Sequence, residues 1–156
     1  ILWQRDQREY QMFSLDLLLC VKQFQKDDIE FFEYLVTHKS WWDTVDVIAV
    51  KLMGAYFKSY PDQRLLYVKK WLGSDDFWLQ RSALLFQLKY KSELDTELLS
   101  QCIYSLSEEK EFFIRKAIGW VLREYSRTNP DWVIGFVGTT ELSGLSKKEA
   151  LRLINQ

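Results

Sequence analysis

The stretch KSWWDTVDVIAVKLM, residues 39–53, predicts a helix that begins with two tryptophans and has an acid one turn later. Its apolar residues recur at intervals of three and four, which is the spacing of one buried helical face. Trp42 and Asp46 are four residues apart and therefore share one side of this helix, whereas we expect Trp41 to point inward. From spacing alone, the ordinary interpretation is a core tryptophan beside a solvated acid.

The same three-and-four spacing continues along the 156 residues, which contain only two prolines and six glycines. It predicts an all-α fold. Candidate caps and breakers bound the helices. We predict a first helix over 5–24, a second from the Asp27 cap to 38, and a third over 41–56, which Ser40 caps and in which Asp43 holds the capping-box position. The next helices are predicted over 61–73, from the Ser74 cap to 91, over 95–106 and from the Ser107 cap to 127. A further helix begins at Asn129 and Pro130, and Ser146 caps a short last helix.

The predicted helices form pairs, and the pairs repeat. WLQRSALLF at 78–86 aligns with FFIRKAIGW at 112–120 at an offset of 34 residues, and WWDTVDVIA stands about 36 residues earlier. A two-helix unit of this period is typical of a HEAT-like α-solenoid. We therefore predict a single HEAT-like repeat domain over 1–156, of the kind that usually binds its partners on a concave face.

Several classes of protein are disfavoured by composition. The chain has one histidine, no Cys/His cluster and no glycine-rich phosphate loop, so we expect neither a metal nor a nucleotide cofactor. Cys20 and Cys102 are expected to be buried free thiols of a cytoplasmic protein. No apolar run approaches the ~20 residues of a membrane span, and ILWQRDQ at the start lacks signal-peptide features, as expected for a cut inside a longer protein.

The net charge of −1 does not by itself suggest nucleic-acid binding. The predicted helix over 112–127 is nevertheless locally basic, because Lys116, Arg123 and Arg127 form a stripe with Trp120 at helical spacing. Two interpretations remain open for this stripe. The cations could hold phosphates while the ring packs on a sugar or base, or the neighbouring repeat could cover Trp120 while the arginines extend past it. For Arg81, the ordinary interpretation is an ion pair with an acid of an adjacent helix.

Three long segments resemble the bacterial AlkD-type alkylpurine DNA glycosylases: SWWDTVD at 40–46, WLQRSALLFQLKYK at 78–91 and EKEFFIRKAIGWVLREYSRTNPDWV at 109–133. The resemblance extends to LSKKEALR near the end and implies a HEAT-like fold that holds DNA along a basic concave surface. In that family the second tryptophan and last aspartate of the WWDTVD motif are active-site residues, which are Trp42 and Asp46 here. The matching arginine and tryptophan of the other two segments are Arg81 and Trp120. Family members begin with further helices that this chain lacks.

The resemblance implies a monofunctional glycosylase that releases cationic N3- or N7-alkylated purines from double-stranded DNA. Such a base departs without a general acid, so one carboxylate suffices, unlike the pair used on ordinary glycosides. Asp46 is expected to stabilise the oxocarbenium-like sugar and orient water, and Trp42 and Trp120 to contact the lesion. The residues expected to bind DNA are Arg81, Lys116, Arg123 and Arg127.

We expect a monomer without metal or cofactor and without a membrane association, located in the bacterial cytoplasm. No candidate Schiff-base lysine stands in these motifs, so no lyase step is expected. The resemblance also implies recognition without full base flipping. The alternative is a non-catalytic HEAT-like scaffold that binds DNA or a protein, as repeat folds often do.

Overall fold

The computed structural model describes residues 2–154, and the regular structure in that range is helical throughout. The all-α prediction is therefore confirmed. One stretch, Ile48–Met53, is π-helical, and single 3₁₀ turns lie at Leu2–Gln4 and Lys91–Glu93. The α-helices are α1 (Arg8–Leu19), α2 (Asp28–Thr37), α3 (Trp42–Val47), α4 (Gly54–Ser59), α5 (Pro61–Leu72), α6 (Phe77–Leu85), α7 (Thr96–Leu106), α8 (Phe112–Tyr125), α9 (Pro130–Thr139) and α10 (Gly144–Ala150).

The helices pack in two layers of consecutive repeats. In the first layer α1, α3, α6, α8 and α10 each contact the next member. The second layer contains α2, α5, α7 and α9, and each of these packs against first-layer helices. This arrangement confirms the HEAT-like helical repeat predicted from the 34-residue offset, and successive helices of the first layer contact each other along it.

Charged pairs connect neighbouring repeats at nearly the sequence period itself. Such cross-repeat pairs are expected where each unit packs only on its neighbours, because equivalent positions then face each other. The partners are separated by 33 to 37 residues: Arg8–Asp43, Asp46–Arg81, Lys58–Glu93, Lys89–Glu124, Lys70–Glu33 and Lys116–Glu149.

The core between the layers is rich in aromatic side chains, and two buried tyrosines satisfy backbone carbonyls. Tyr56 Oη donates to the Lys26 carbonyl and Tyr90 Oη donates to the Gly54 carbonyl, each at 2.6 Å. Burial raises the pKa of both phenols to about 12. Gly54 is required at this contact, because a Cβ there would stand 2.7 Å from the Phe86 carbonyl oxygen.

The predicted caps are partly confirmed. Asp95 caps α7 by accepting from the Leu98 amide, and Asn129 caps α9 by accepting from the Trp132 amide, with Pro130 in the first turn. Ser74 is not the cap of α6, because the Asp76 carboxylate accepts from the Trp78 and Leu79 amides instead. A carboxylate there satisfies two amides at once.

Similar shifts of a few residues occur at other helix starts. Glu111 caps α8 in place of Ser107, and Ser143 caps α10 in place of Ser146. Ser40 does not cap α3, since its Oγ donates back to the Val36 carbonyl. Asp43 makes no capping box, because it pairs with Arg8 of α1. Each wrong cap therefore has a nearby tertiary or backbone partner that competes for the side chain.

Two helices are shorter than predicted. The first spans Arg8–Leu19 rather than 5–24, and α6 ends at Leu85 rather than near 91. The chain after α6 continues in turns, where the Gln87 side-chain carbonyl accepts from the Asp95 amide. This bond ties the end of one repeat to the cap of α7, so the chain leaves helical geometry before Lys91.

Both cysteines are free, but only one is buried. Cys102 is buried, and burial raises the pKa of its thiol to about 12. Cys20 is exposed at the end of α1, so the prediction of two buried thiols is wrong for this residue. Among residues 2–154, no helix combines the length and the apolar character that crossing a bilayer requires.

Candidate active site

The first layer carries a cleft of about 210 Å³ that is built by four successive helices. It collects six of the seven residues that the sequence singled out, with Arg127 the exception. The seventh member of the lining, Glu149, was not predicted. The lining residues are Trp42 and Asp46 from α3, Arg81 from α6, Lys116, Trp120 and Arg123 from α8, and Glu149 from α10.

Asp46 and Arg81 form a bidentate ion pair in the lining of this cleft. Arg81 Nε donates to Asp46 Oδ1 at 2.7 Å, and Nη2 donates to Oδ2 at 2.9 Å. A further donor, Nη1, bonds the Phe113 carbonyl of α8. Fork-to-fork pairing of this kind fixes both groups in orientation as well as in position.

Asp46 is the more accessible member of this ion pair. The Arg81 side chain is 5% exposed and the Asp46 side chain is 12% exposed. An ion pair with an acid of an adjacent helix was the ordinary interpretation of Arg81, and the structure shows that pair. A carboxylate has about four lone-pair sites, and the two bonds from Arg81 leave the others of Asp46 for groups that enter the cleft.

The tryptophans of the opening motif are both half-exposed. Trp42 is 47% exposed at the cleft, so the core interpretation is wrong for it. Trp41 is 49% exposed, so the expected inward direction is also wrong. The backbone of Trp41 is extended because the helix begins one residue later, and its ring lies against Trp78 and Phe113, with centroids 6.4 and 5.8 Å away.

Trp120 of α8 also lines the cleft. It is partly buried and packs against the hydrophobic core. Together with Asp46 it also lines an adjoining, mostly aliphatic cavity of about 210 Å³ that includes Val47, Val50 and Leu88. Of the two interpretations of Trp120, the structure therefore combines parts of each: the ring is partly covered, and it faces a cavity beside cations.

The cations of the basic stripe pair with two different acids. Lys116 Nζ lies 2.7 Å from Glu149 Oε2, and Arg123 also pairs with this glutamate. Arg127 is exposed, lies outside the lining of the cleft and stands 3.6 Å from Glu124. Burial, and next the positive charge of Arg152, lower the pKa of Arg123 below its ordinary value. A nearby carboxylate offsets that cost.

Glu149 is the functional candidate that sequence reasoning missed. It reaches α8 because Gly119 has no side chain: a Cβ there would stand 2.5 Å from the Cβ of Glu149. A glycine inside a helical pattern is a signal of close backbone approach. That signal was present in KAIGW, but it does not identify the residue that approaches.

Within the described range, no cluster of three or more histidine, cysteine or acidic side chains has the arrangement of a metal site. The cleft brings together the carboxylates of Asp46 and Glu149, the rings of Trp42 and Trp120 and three cations. Fixed charge of this type can stabilise a developing positive charge beside it.

A family profile and a solved structure both match this chain. The profile of a family described as "DNA alkylation repair enzyme" matches residues 1–154. A solved structure named "Predicted DNA alkylation repair enzyme from Enterococcus faecalis" has 35% sequence identity and a TM-score of 0.90, over 99% of this chain and 72% of that one. A search of curated protein sequences gave no significant match.

Proposed function

Because this chain belongs to the DNA alkylation repair enzyme family, we propose that it is a monofunctional DNA glycosylase. Its substrates are N3- or N7-alkylated purines in double-stranded DNA, and it acts as a monomer without a metal or cofactor. The observation that carries this proposal is the Asp46 carboxylate, which Arg81 holds by two hydrogen bonds at the edge of an open cleft.

Asp46 supplies the fixed negative charge of the reaction. Alkylation makes the purine cationic, so it leaves with the bonding electrons without being protonated first. The sugar then carries positive charge, and a preorganised carboxylate stabilises it more strongly in a partly dry cleft than water would. The lone pairs that Arg81 leaves unused orient the water that attacks the sugar.

Trp42 and Trp120 line the same cleft as this carboxylate and contact the lesion in this proposal. Their ring faces attract positive charge and pack against sugar. Both properties suit a cationic nucleotide whose glycosidic bond is breaking. The half-exposure of Trp42 supports this role, because its ring is accessible to a nucleotide that enters the cleft.

DNA is held by the cations of the first layer in this proposal. Lys116, Arg123 and Arg127 contact phosphates through the N–H groups that their acid partners leave free. Arg81 has fewer N–H groups available, because Asp46 and the Phe113 carbonyl occupy three of them. Its contribution is mainly to orient Asp46, with a phosphate contact as a secondary role.

The same ion pair also favours a second candidate function, a non-catalytic DNA-binding scaffold. In that case Asp46 serves only as the counter-ion of a buried arginine. The two functions differ in what the carboxylate does for the substrate. A scaffold binds DNA without releasing base, whereas a glycosylase releases base and loses most of that rate when its transition-state group is removed.

The deciding experiment measures release of free alkylated base from a duplex with one N7-methylguanine, under single-turnover conditions. We expect Asp46→Asn to slow release by ~10²–10³, while the exposed Asp75→Asn variant, with the same charge change, keeps the wild-type rate. Circular dichroism and an unfolding midpoint for each variant verify the fold. Wild-type protein that releases no base above the uncatalysed rate would favour the scaffold, and a wild-type rate in the Asp46→Asn variant would remove Asp46 from the mechanism.

A further inference from the structure

Glu149 is the second carboxylate of the cleft, and the reaction proposed above gives it no role. It is 8% exposed and lies among three cations. Lys116 Nζ stands 2.7 Å away, Arg123 Nη1 is in direct contact, and Arg152 Nη1 stands 3.8 Å away. Buried acids are rarely found without partners, but one acid among three cations leaves the cluster positive as a whole.

The fold brings this carboxylate to α8 through several independent contacts. Gly119 allows α10 to approach closely, as described above. The Ser143 side chain caps α10 by accepting from the Ser146 amide, and Ser146 Oγ donates to the Arg115 carbonyl at 2.9 Å. The Ser146 side chain thus ties α10 to α8 one turn before the glycine, which helps to fix where the Glu149 side chain begins.

Glu149 also stands between two cavities. It lines the cleft that contains Asp46, and it lines a neighbouring cavity of about 470 Å³ whose other residues include Lys148 and Arg152. Lys116 lines both cavities as well. If Glu149 lost its charge, Asp46 would be the remaining carboxylate of the cleft for Lys116 and Arg123 to approach.

Building on the proposed function, we infer that Glu149 is a positioning residue. It holds Lys116 and Arg123 on the α8–α10 side of the cleft and so keeps the charge of Asp46 available to the lesion sugar. A carboxylate that gains further cationic partners offers less stabilisation to an oxocarbenium-like sugar. A surface that merely held DNA would bind more tightly without Glu149, because its negative charge repels phosphates.

The test compares Glu149→Gln with Glu108→Gln. The first keeps the shape of the side chain. The second makes the same charge change at an exposed residue before α8 that has no ion pair within the described range. Binding to an undamaged duplex and single-turnover release of N7-methylguanine are measured for both. For Glu149→Gln we expect equal or tighter binding with release slowed about ten- to hundredfold, below the effect expected for loss of a reacting group.

A second readout does not depend on base release. The Nε–H of Arg81 reports its bond with Asp46, so its NMR shift and its solvent exchange should change in Glu149→Gln, when other cations compete for Asp46, and stay unchanged in Glu108→Gln. Glu149→Asp, which keeps the charge, should recover part of the excision rate. Such recovery distinguishes positioning from a loss of folding.

The outcomes separate the two proposals. Absence of base release by the wild-type protein would overturn the proposed function, and the Arg81 Nε–H signal would then decide the arrangement of charges around Asp46. Wild-type release at saturating Glu149→Gln protein, or an unchanged Arg81 Nε–H signal in that variant, would overturn the role of Glu149. Slow release with tight binding and a shifted Arg81 signal would support it.

Discussion

Arg81 and Asp46 lie 35 residues apart in the chain and meet through two hydrogen bonds of 2.7 and 2.9 Å across the boundary between two repeats. Lys89 and Glu124 lie the same 35 residues apart, but their pair is exposed at the lysine, whose side chain is 55% accessible. The two pairs share this separation and differ in burial, so comparing them measures what burial contributes.

We expect Arg81→Gln to lower the free energy of unfolding by about 3–5 kcal/mol, because Asp46 is then left without its buried partner. The double variant with Asp46→Asn should recover part of this loss, since no charge remains unpaired. Lys89→Gln should cost about 1 kcal/mol or less, as is usual for an exposed pair. Urea unfolding of the four proteins measures these values, and a similar cost for Arg81→Gln and Lys89→Gln would contradict the importance of burial.

Cationic lesions should be released far faster than neutral ones. The cleft has a carboxylate and two ring faces, which favour positive charge, and its second acid, Glu149, is held by cations. A neutral base such as hypoxanthine or uracil leaves poorly without protonation. Single-turnover release from duplexes that differ only in N7-methylguanine, hypoxanthine or uracil measures the preference. Comparable rates would require a general acid that this mechanism lacks.

Loss of a phosphate contact should weaken binding to damaged and undamaged DNA alike. We expect Arg123→Ala, Lys116→Ala and Arg127→Ala each to reduce the log–log salt slope of binding by roughly one. The exposed Lys22, beyond the end of α1, offers a control with the same loss of charge. Titrations at several salt concentrations give the slopes. Slopes that match the Lys22→Ala value in all three variants would place the basic stripe away from DNA.

The protein should become less stable at alkaline pH because of its buried tyrosines. The pKa of Tyr56 and that of Tyr90 are raised to about 12 in the folded protein, against about 10 in an unfolded chain. Between these values the unfolded state has lost protons that the folded state retains, so stability falls as pH rises. The stabilisation is complete below pH ~10 and is lost towards pH 12.

Denaturant unfolding at pH 9 and pH 11 measures this loss directly. Tyr90→Phe should show a smaller difference between the two pH values than the wild type, although it is less stable overall because the Gly54 carbonyl loses its donor. An unchanged difference in that variant would show that other groups carry the alkaline dependence.

The sequence predicted the elements better than the contacts between them. The cap at Asp95 was found because a cap depends on residues within one turn. The cap at Asp76 was missed because serine and aspartate are both good caps. The choice depends on the end of α5, where the Ser74 hydroxyl bonds the Trp71 carbonyl and Asp76 is left to cap α6. Local sequence therefore limits each helix cap to a few candidate residues, and the packing of the helices decides which candidate makes the capping bond.

In the cleft, too, the sequence predicted which residues share a helix face but not which residues of other helices contact that face. Helical spacing grouped Lys116, Trp120 and Arg123 on one face, and they do line one wall together. No spacing within α8 could show that Glu149 of α10 neutralises part of that face. Trp41 was misplaced for a related reason: its direction is set by where α3 begins and by the rings of neighbouring helices.

The π-helical stretch Ile48–Met53 begins two residues after Asp46, and it sets the rotational phase of the helix that bears the site. One residue advances an α-helix by about 100° around its axis. A π turn holds one residue more than an α turn, so deleting a single residue from this stretch would restore a regular ladder of backbone bonds and leave Trp42 and Asp46 in nearly the same direction relative to Tyr56. An insertion or deletion in a regular part of the same helix would instead redirect the carboxylate by about that angle, so the wide turn is the place where this helix can change length without moving the site.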